Sequence, residues 1–401
     1  MSGRPPTCLI AVSSHGFGHL SQVTPVINAA DNSVRDRGLD TVQWIIRTTI
    51  EASQIRSRIR PTVRIDLDSD DFGMVMRDAF SVDLPASLAR YAQQHNDWER
   101  HVDGVAHHLS RLEVDTVLAD VPYLTLAAAA RAGIRSLAIC SLNWADILLA
   151  CVSSNPEALR QAGISARAFD QMLDHMRDAY NSAQVFLQPT PSMAMTSLHR
   201  TLRIGPVCEP PEGPGREVLQ QLVEHHGHTQ PGWFVLVSMG GIPTKLDLKT
   251  WPTHCLGKPV YYLVAPNLLG EHAHAISTQA PGLSFANLFA SCDLFIGKPG
   301  YGTFVEAACS GTPLIYVERS EWAEAKALTD WIHVHGQARA MTLSQLASKR
   351  LAQCMSELLL AGRFSPIQPS GNAQAANQLL QTLFNPKHSA SNQGAPYQSV
   401  S

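Results

Sequence analysis

The sequence predicts an α/β protein of two Rossmann-like domains with parallel sheets, on three observations. Short β-branched runs alternate with helical apolar patterns along nearly the whole chain, as strand–helix–strand crossovers require. The alternation breaks once, at 205–215, where seven of eleven residues are Pro or Gly. It then restarts, and both halves open alike. Leu9–Val12 runs into the small-residue loop Ser13–His19, and Trp233–Val237 runs into Ser238-Met239-Gly240-Gly241.

In the first half, strands are expected at Thr7–Ser13, Thr41–Thr48, Thr62–Leu67, Thr116–Ala119, Ser136–Cys140 and Val185–Gln188. Helical spacing is clearest at Ser87–Leu112 and Leu124–Ala132. In the second half, strands are expected at Trp233–Val237, Val260–Ala265, Leu283–Phe285, Leu294–Ile296 and Pro313–Val317. Helices follow at Gly302–Ser310, Glu321–His335, Leu343–Leu360 and Ala373–Phe384. The division expected is a first domain over 1–204, a Pro/Gly linker over 205–215, a second domain over 216–372, a last helix over 373–384 and a polar, disordered tail over 385–401. No repeat of solenoid period interrupts this plan.

Composition narrows the function. A chain of 401 residues exceeds one ordinary core, in keeping with two domains. A formal charge of −3 and a pI near 6.6 leave no basic footprint, so nucleic acid is not expected as a partner. The eight cysteines are scattered without a CxxC, which points to reduced thiols in a cytoplasmic protein. The apolar run Cys8–Val12 is a first strand and too short for a signal peptide, and no segment has the length of a transmembrane span. The histidine-rich stretch 224–228 follows the linker and reads as an exposed loop, not a metal site.

The loops after the strands carry the chemistry. Gly16 and Gly18 resemble the start of a dinucleotide fingerprint, but Ser21 stands where the third glycine belongs. The second strand ends Arg47-Thr48-Thr49, with no acid for a ribose 2′-hydroxyl, so NAD is disfavoured. Two histidines, His15 and His19, bracket the glycines at a sheet edge where ligands bind in such folds. In the second half, Ser238, Gly240, Gly241 and the loop Lys298–Gly302 form two glycine-bearing turns on neighbouring strand ends. With Gly300, Gly302, Thr303 and the positive end of the next helix, they suit a diphosphate, and Lys298 adds charge. Glu306 has two readings: the acid of a capping box begun by Thr303, or a carboxylate for nucleotide ribose hydroxyls. Asp120 likewise either caps the helix from Leu124 or orients a histidine.

Taken together, the strand with its His15-Gly-Phe-Gly-His19 loop, the linker, Ser238-x-Gly-Gly241 and Gly297-Lys-Pro-Gly-Tyr-Gly-Thr-x-x-Glu306 resemble the GT-B glycosyltransferases of the MurG and UDP-glycosyltransferase type. The likeness is strongest to the glycosyltransferase-like N-terminal module of plant arabinokinases. That module has stretches like Ser87–Tyr91, an Asp like Asp120 and a stretch like Ser141-Leu-Asn-Trp144-Ala-Asp-Ile147. The resemblance covers about residues 8–335. Gln22 departs from an Arg common in that family, and the sugar-kinase half is absent, so arabinokinase activity is not implied. The resemblance implies an acceptor domain followed by a nucleotide-sugar donor domain, with helix Ala373–Phe384 crossing back to the first. It also implies His19 as general base, Asp120 as its support, Glu306 on the donor ribose, and Tyr301 and Glu324 among the donor residues.

The expected activity is therefore inverting transfer of a sugar from a nucleotide diphosphate, UDP-linked, to an acceptor hydroxyl of unknown identity, with neither metal nor cofactor. A cytoplasmic place is expected, or one at the inner face of a membrane. The competing readings are a non-catalytic nucleotide-sugar sensor and a sugar-nucleotide epimerase. Product analysis separates them.

Overall fold

The computed structural model of the chain describes residues 4–213, 215–225, 227, 230–240, 246–319 and 321–384. Gly241, two of the clustered histidines (His226 and His228) and the tail 385–401 lie outside the described residues.

The first half runs β1 (Thr7–Val12), α1 (Gly18–Asp36), β2 (Gln43–Arg47), α2 (Ala52–Arg56), β3 (Val63–Asp66), α3 (Leu84–Asn96), α4 (Trp98–Arg111) and β4 (Thr116–Asp120). It continues with α5 (Tyr123–Arg131), β5 (Arg135–Ile139), α6 (Trp144–Ser154), α7 (Glu157–Gln161), α8 (Ala166–Ser182), β6 (Phe186–Pro189) and β7 (Thr201–Ile204). The second half runs α9 (Arg216–His225), β8 (Trp233–Ser238), β9 (His254–Cys255), β10 (Lys258–Val264), a 3₁₀ turn (Pro266–Glu271), β11 (Ala275–Ser277) and α10 (Phe285–Ser291). After these come β12 (Leu294–Gly297), α11 (Tyr301–Ser310), β13 (Leu314–Val317), α12 (Ala325–His335), β14 (Ala338–Met341), α13 (Leu343–Leu346), α14 (Lys349–Ala361) and α15 (Gly371–Phe384).

Both halves are doubly wound. The first sheet has the order β3-β2-β1-β4-β5-β6-β7, all parallel; the second has β11-β10-β8-β12-β13-β14, with β9 antiparallel on β10. In each, the strand order reverses at one place, between β1 and β4 and between β8 and β12. A crevice opens there beyond the strand ends, because neighbouring crossovers leave to opposite faces. Val12 pairs with Asp120 at the first of these places, and Ser238 pairs with Gly297 at the second. The predicted loops after β1, β4, β8 and β12 therefore sit at the two switch points, whereas Glu324 lies one strand further on, beyond β13.

Helix α1 shows why the first sheet is covered. Leu20, Val23, Val26, Ile27, Ala30 and Val34 recur at three- and four-residue spacing and are all buried. Each larger side chain contributes roughly 1.5–3 kcal/mol of burial. Helix α15 packs along α1 and touches β4, β5 and β7, so the end of the described chain belongs to the first half. It arrives beside the linker: Gly371 N–H donates to Pro206 O at 3.0 Å, and a Cβ on Gly371 would lie 2.1 Å from Gly205 O.

Several boundaries differ from expectation, each for a local reason. The helix expected over Ser87–Leu112 is two: Asp83 caps α3 through Ala86 N–H, and Asp97, at φ −117° and ψ 43°, turns the chain into α4. Leu283–Phe285 is no strand, because the Ser284 side chain accepts from Asn287 N–H and begins α10. The helix expected over Leu343–Leu360 is likewise divided, by Ser348 capping α14. The capping box read at Thr303–Glu306 is absent: α11 starts earlier, with Gly300 as N-cap, and Thr303 donates to Gly300 O at 3.1 Å. Residues 321–324 precede α12 rather than forming its first turn.

Candidate active site

The two switch points face one another across a cleft of about 620 Å³, lined from both halves. Each wall contributes the start of a helix. α1 begins at Gly18 and α11 at Tyr301, and they come close enough that a Cβ on Gly302 would lie 3.4 Å from Ser21 Cβ. Unsatisfied N–H groups and the positive ends of two helix dipoles thus converge on one space, which suits a bound anion.

His19 occupies the first turn of α1 and lines the cleft while remaining 4% exposed. Its Nδ1 lies 2.9 Å from Oδ1 of the fully buried Asp120 at the end of β4. With Nδ1 carrying the proton, Nε2 is left as an acceptor, and no hydrogen bond engages it among the described residues. Burial pulls this imidazole's pKa down, but the Asp120 carboxylate prevails and raises it overall. Cys140 Sγ lies 3.8 Å from the same Nδ1, so His19, Asp120 and Cys140 place three potential ligand atoms within 4.8 Å of one another. Burial, then Asp120, push the Cys140 thiol's pKa far up, which keeps it protonated in the metal-free protein. What the cluster is suited to share is a proton.

Around this pair lies a frame that the sequence did not reveal. Asp71, on the loop after β3, is buried, with Oδ2 lacking a partner among the described residues. Its pKa is raised by desolvation, against the Ser13 hydroxyl and His19. Arg47 closes the preceding segment by pairing with Asp66, Asp68 and Asp70 at once, at 2.6–2.9 Å. His15 accepts from Met74 N–H at 3.3 Å and lies edge-on to Trp144 and stacked on Trp322, with centroids 5.3 and 5.9 Å away. Burial first, then His19, Lys298 and Arg319, lower its pKa to about 3, so it is neutral.

Glu324 joins the halves. Ser141 Oγ donates to its Oε1 at 2.6 Å and Trp322 Nε1 to its Oε2 at 3.1 Å, while Gln22 braces Ser141 from behind with bonds of 3.1 and 3.2 Å. Gln22, the departure from the resembling family, is therefore part of this chain's interdomain contact.

On the second wall stand Ser238, Gly240, Lys298, Gly300, Gly302, Thr303 and Glu306, beside Gly16 and Gly18 of the first. Gly240 adopts φ +82°, and a Cβ there would lie 2.8 Å from Lys298 Cε, so glycine lets the lysine cross the β8 loop. Gly297 is glycine for packing: a Cβ would stand 2.4 Å from Ser238 O and the Phe295 ring. Gly300 differs from both, with extended backbone at φ −155° and only Thr303 Oγ1 near a Cβ, at 3.6 Å. Its missing side chain leaves space open in the cleft. Tyr301 also borders the cleft, but its hydroxyl accepts from Val207 N–H at 2.9 Å and donates to Thr190 O, which fastens the linker.

Glu306 lies in the second turn of α11. Burial raises its pKa to about 8, opposed only by Arg58 of the facing wall. Lys298 is lowered to about 8 by burial and then by Arg319. Arg58, Arg319 and Trp322 are cleft residues the sequence reading missed, since nothing in their local sequence marks a contact made across a cleft.

No family model matches the chain. Over 331 residues it is 24% identical to the L-arabinokinase of Arabidopsis thaliana, a match covering 81% of this chain and 29% of that protein. The chain thus spans less than a third of the curated relative it matches. Solved structures similar to it include a Polygonum tinctorium UDP-glucosyltransferase capable of glucosylating indoxyl, at TM-score 0.54 and 14% identity, covering 96% of this chain and 99% of that one. The glycosyltransferase of kitacinnamycin matches at TM-score 0.56 and 16% identity over 95% and 100% of the two chains. The glycosyltransferase VinC, in complex with dTDP, matches at 0.50 and 15% over 94% and 95%. The fold is GT-B.

Proposed function

We propose that this protein is a glycosyltransferase that moves a sugar from a nucleotide diphosphate donor, UDP-linked, to an acceptor hydroxyl. One observation carries the reading: a His19–Asp120 pair at the first switch point faces a glycine-opened helix start at the second across a single cleft. The L-arabinokinase match and the GT-B neighbours support it. The donor diphosphate would lie at the start of α11 between Lys298 and the Ser238–Gly240 loop, with Glu306 on the ribose. His19 Nε2 takes the acceptor hydroxyl proton as that oxygen bonds to the anomeric carbon. The bond from that carbon to the diphosphate breaks, and the leaving charge settles on the helix-start amides and Lys298. Attack from one wall with departure toward the other is a single displacement, hence inversion. Charge stabilisation by protein groups makes this a metal-independent scheme. Among the described residues no helix is long and apolar enough to cross a membrane; we place the activity in the cytoplasm, where an acceptor at a membrane's inner face is also within reach.

The test is donor turnover. His19→Ala should leave nucleotide affinity nearly unchanged while transfer, or slow donor hydrolysis, falls about 10²–10⁴-fold. Asp120→Asn should lose less. Tight nucleotide-sugar binding without any His19-dependent release of nucleotide diphosphate would instead establish a sensor. One observation favours that second reading: His19 is only 4% exposed, with the Trp144 ring against it and Trp322 in the same first-domain core cluster. Isomerised donor would mark an epimerase.

A further inference from the structure

A second carboxylate is buried near the His19–Asp120 pair, and only half of it is bonded. Asp71 is 6% exposed, although it lies in an irregular segment between β3 and α3. That segment is fastened from several sides. Arg47 pairs with Asp66, Asp68 and Asp70, Gln94 Nε2 and Thr125 Oγ1 donate to Asp70 at 2.8 and 2.9 Å, and Tyr91 donates to Gly73 O at 2.7 Å. Gly73, at φ +67°, approaches His15 so closely that a Cβ would stand 2.6 Å from that side chain, and Met74 N–H donates to the ring. The loop after β3 is thereby pressed onto the loop that runs from Ser13 to His19.

Asp71 Oδ1 accepts from Gly73 N–H at 3.4 Å, while Oδ2 has no hydrogen bond among the described residues. An acid kept only to shape the loop would use both oxygens, and a carboxylate buried without a cation is costly. The cation whose charge reaches it is His19 in its protonated form: desolvation raises the Asp71 pKa, and a charged His19 opposes that rise. His19 in turn is faced by Asp120 at the end of β4, Cys140 after β5, His15 on its own loop, Asp71 after β3 and Glu324 beyond β13. Cys140 and His15 are neutral, and Glu324 has both oxygens engaged, by Ser141 and Trp322. Besides Asp120, which holds Nδ1, that leaves Asp71 as the carboxylate whose charge is not bonded elsewhere.

We propose that Asp71 is a positioning residue for the proton on His19, a second carboxylate whose charge steadies the imidazolium formed when Nε2 takes the acceptor proton. This rests on the reading of His19 as general base. No bond forms or breaks at Asp71. It acts through a dry core, where opposite charges attract far more strongly than in water. Its partner charge appears only as the reaction proceeds, so the cost of burying it in the resting protein becomes stabilisation of the transition state.

The experiment follows the His19 ring signal by NMR in the histidine-labelled full chain, identified by its loss in His19→Gln, beside the pH profile of UDP-glucose hydrolysis. Asp71→Asn keeps an acceptor for Gly73 N–H and removes the charge. Expected are a His19 titration moved to lower pH, a plateau rate about tenfold lower, and an acid limb moved the same way as the titration. UDP affinity should stay unchanged, which reports an intact fold. Asp71→Ser, smaller and equally uncharged, should give the same shift, and Asp71→Glu should return titration and limb toward the parent. A merely structural Asp71 would lower the rate at every pH with the titration in place, and the extra methylene of Asp71→Glu would then do the most harm. A His19 titration unmoved in both uncharged variants, or moved to higher pH, overturns the inference. Absence of any His19-dependent release of UDP from the parent overturns the general-base reading instead, and the ring titration still decides whether Asp71 acts on His19.

Discussion

Replacing Glu306 by Gln should stabilise the empty protein and weaken its hold on a nucleotide. The carboxyl has a free-chain pKa of 4.5 and is raised to about 8 by burial in the cleft wall, with only Arg58 opposing. Folding therefore favours the protonated form. Below pH 4.5 both folded and unfolded chains carry the proton, and Glu306 contributes no penalty; the penalty grows as pH rises toward 8 and is constant above. At about 1.4 kcal/mol per pH step, the cost at pH 7 is roughly 3 kcal/mol, reduced toward about 1 kcal/mol where water reaches the carboxylate. Urea unfolding of parent and Glu306→Gln at pH 5 and pH 8 measures this directly, and the variant's advantage should appear mainly at pH 8. Nucleotide affinity should fall by about 1–3 kcal/mol, since an amide oxygen replaces a carboxylate as acceptor for ribose hydroxyls. If the ribose requires the ionised form, binding at pH 7 must release up to one proton, visible as a binding enthalpy that depends on the buffer. A variant as stable as the parent at both pH values, with unchanged affinity and no proton release, would refute the reasoning.

Two further substitutions test the second wall. Gly300→Val keeps an allowed backbone, so the fold should survive while UDP binding is lost and binding of bare uridine suffers less. Gly302→Val should weaken UDP binding as well, by forcing apart the starts of α1 and α11. Equal loss for nucleotide and nucleoside, with an unchanged circular dichroism spectrum, would argue against a phosphate cradle. Tyr301→Phe leaves Val207 N–H without its acceptor and should cost about 1–3 kcal/mol of stability in thermal unfolding, with nucleotide affinity intact; a loss of affinity at unchanged stability would return Tyr301 to the donor.

Much of the architecture was legible because it is written in local pattern. The parallel strands at Trp233–Ser238, Thr116–Asp120 and Leu294–Gly297 are short apolar runs ending in Ser, Asp and Gly, and those endings mark the switch points. His19 and Asp120 are legible for the same reason, as polar groups placed just past such runs. The misreadings have local causes too. Thr303 and Glu306 have the spacing of a capping box, yet the helix begins three residues earlier, with Gly300 as its N-cap in ordinary extended backbone. The box that does form is Thr342–Gln345. Ser284 was hidden inside an apolar triplet, and the strand Thr201–Ile204 is too short and too exposed to stand out. The chain from Gln22 through Ser141 to Glu324, and the stack of His15 on Trp322, join residues as many as 307 positions apart, counted from His15 to Trp322. No periodicity or motif encodes such pairs; only the closing of one half on the other creates them.

The place where Gly371 meets Pro206 and Gly205 has a mechanical meaning. The chain crosses between the halves at the linker and again on the way into α15, and those two passages lie against each other, backbone to backbone. Two adjacent tethers permit swinging about their common line and resist sliding or twisting, much as paired pins do in a door. Any opening about that line would be widest at the far rim, where Trp322 and Arg319 lean on the first half, and narrowest beside Tyr301, which grips the linker. On the proposed reading, entry and exit of a nucleotide sugar would then be tied to breaking the Glu324–Ser141 contact, with the seam of two glycines as the axle.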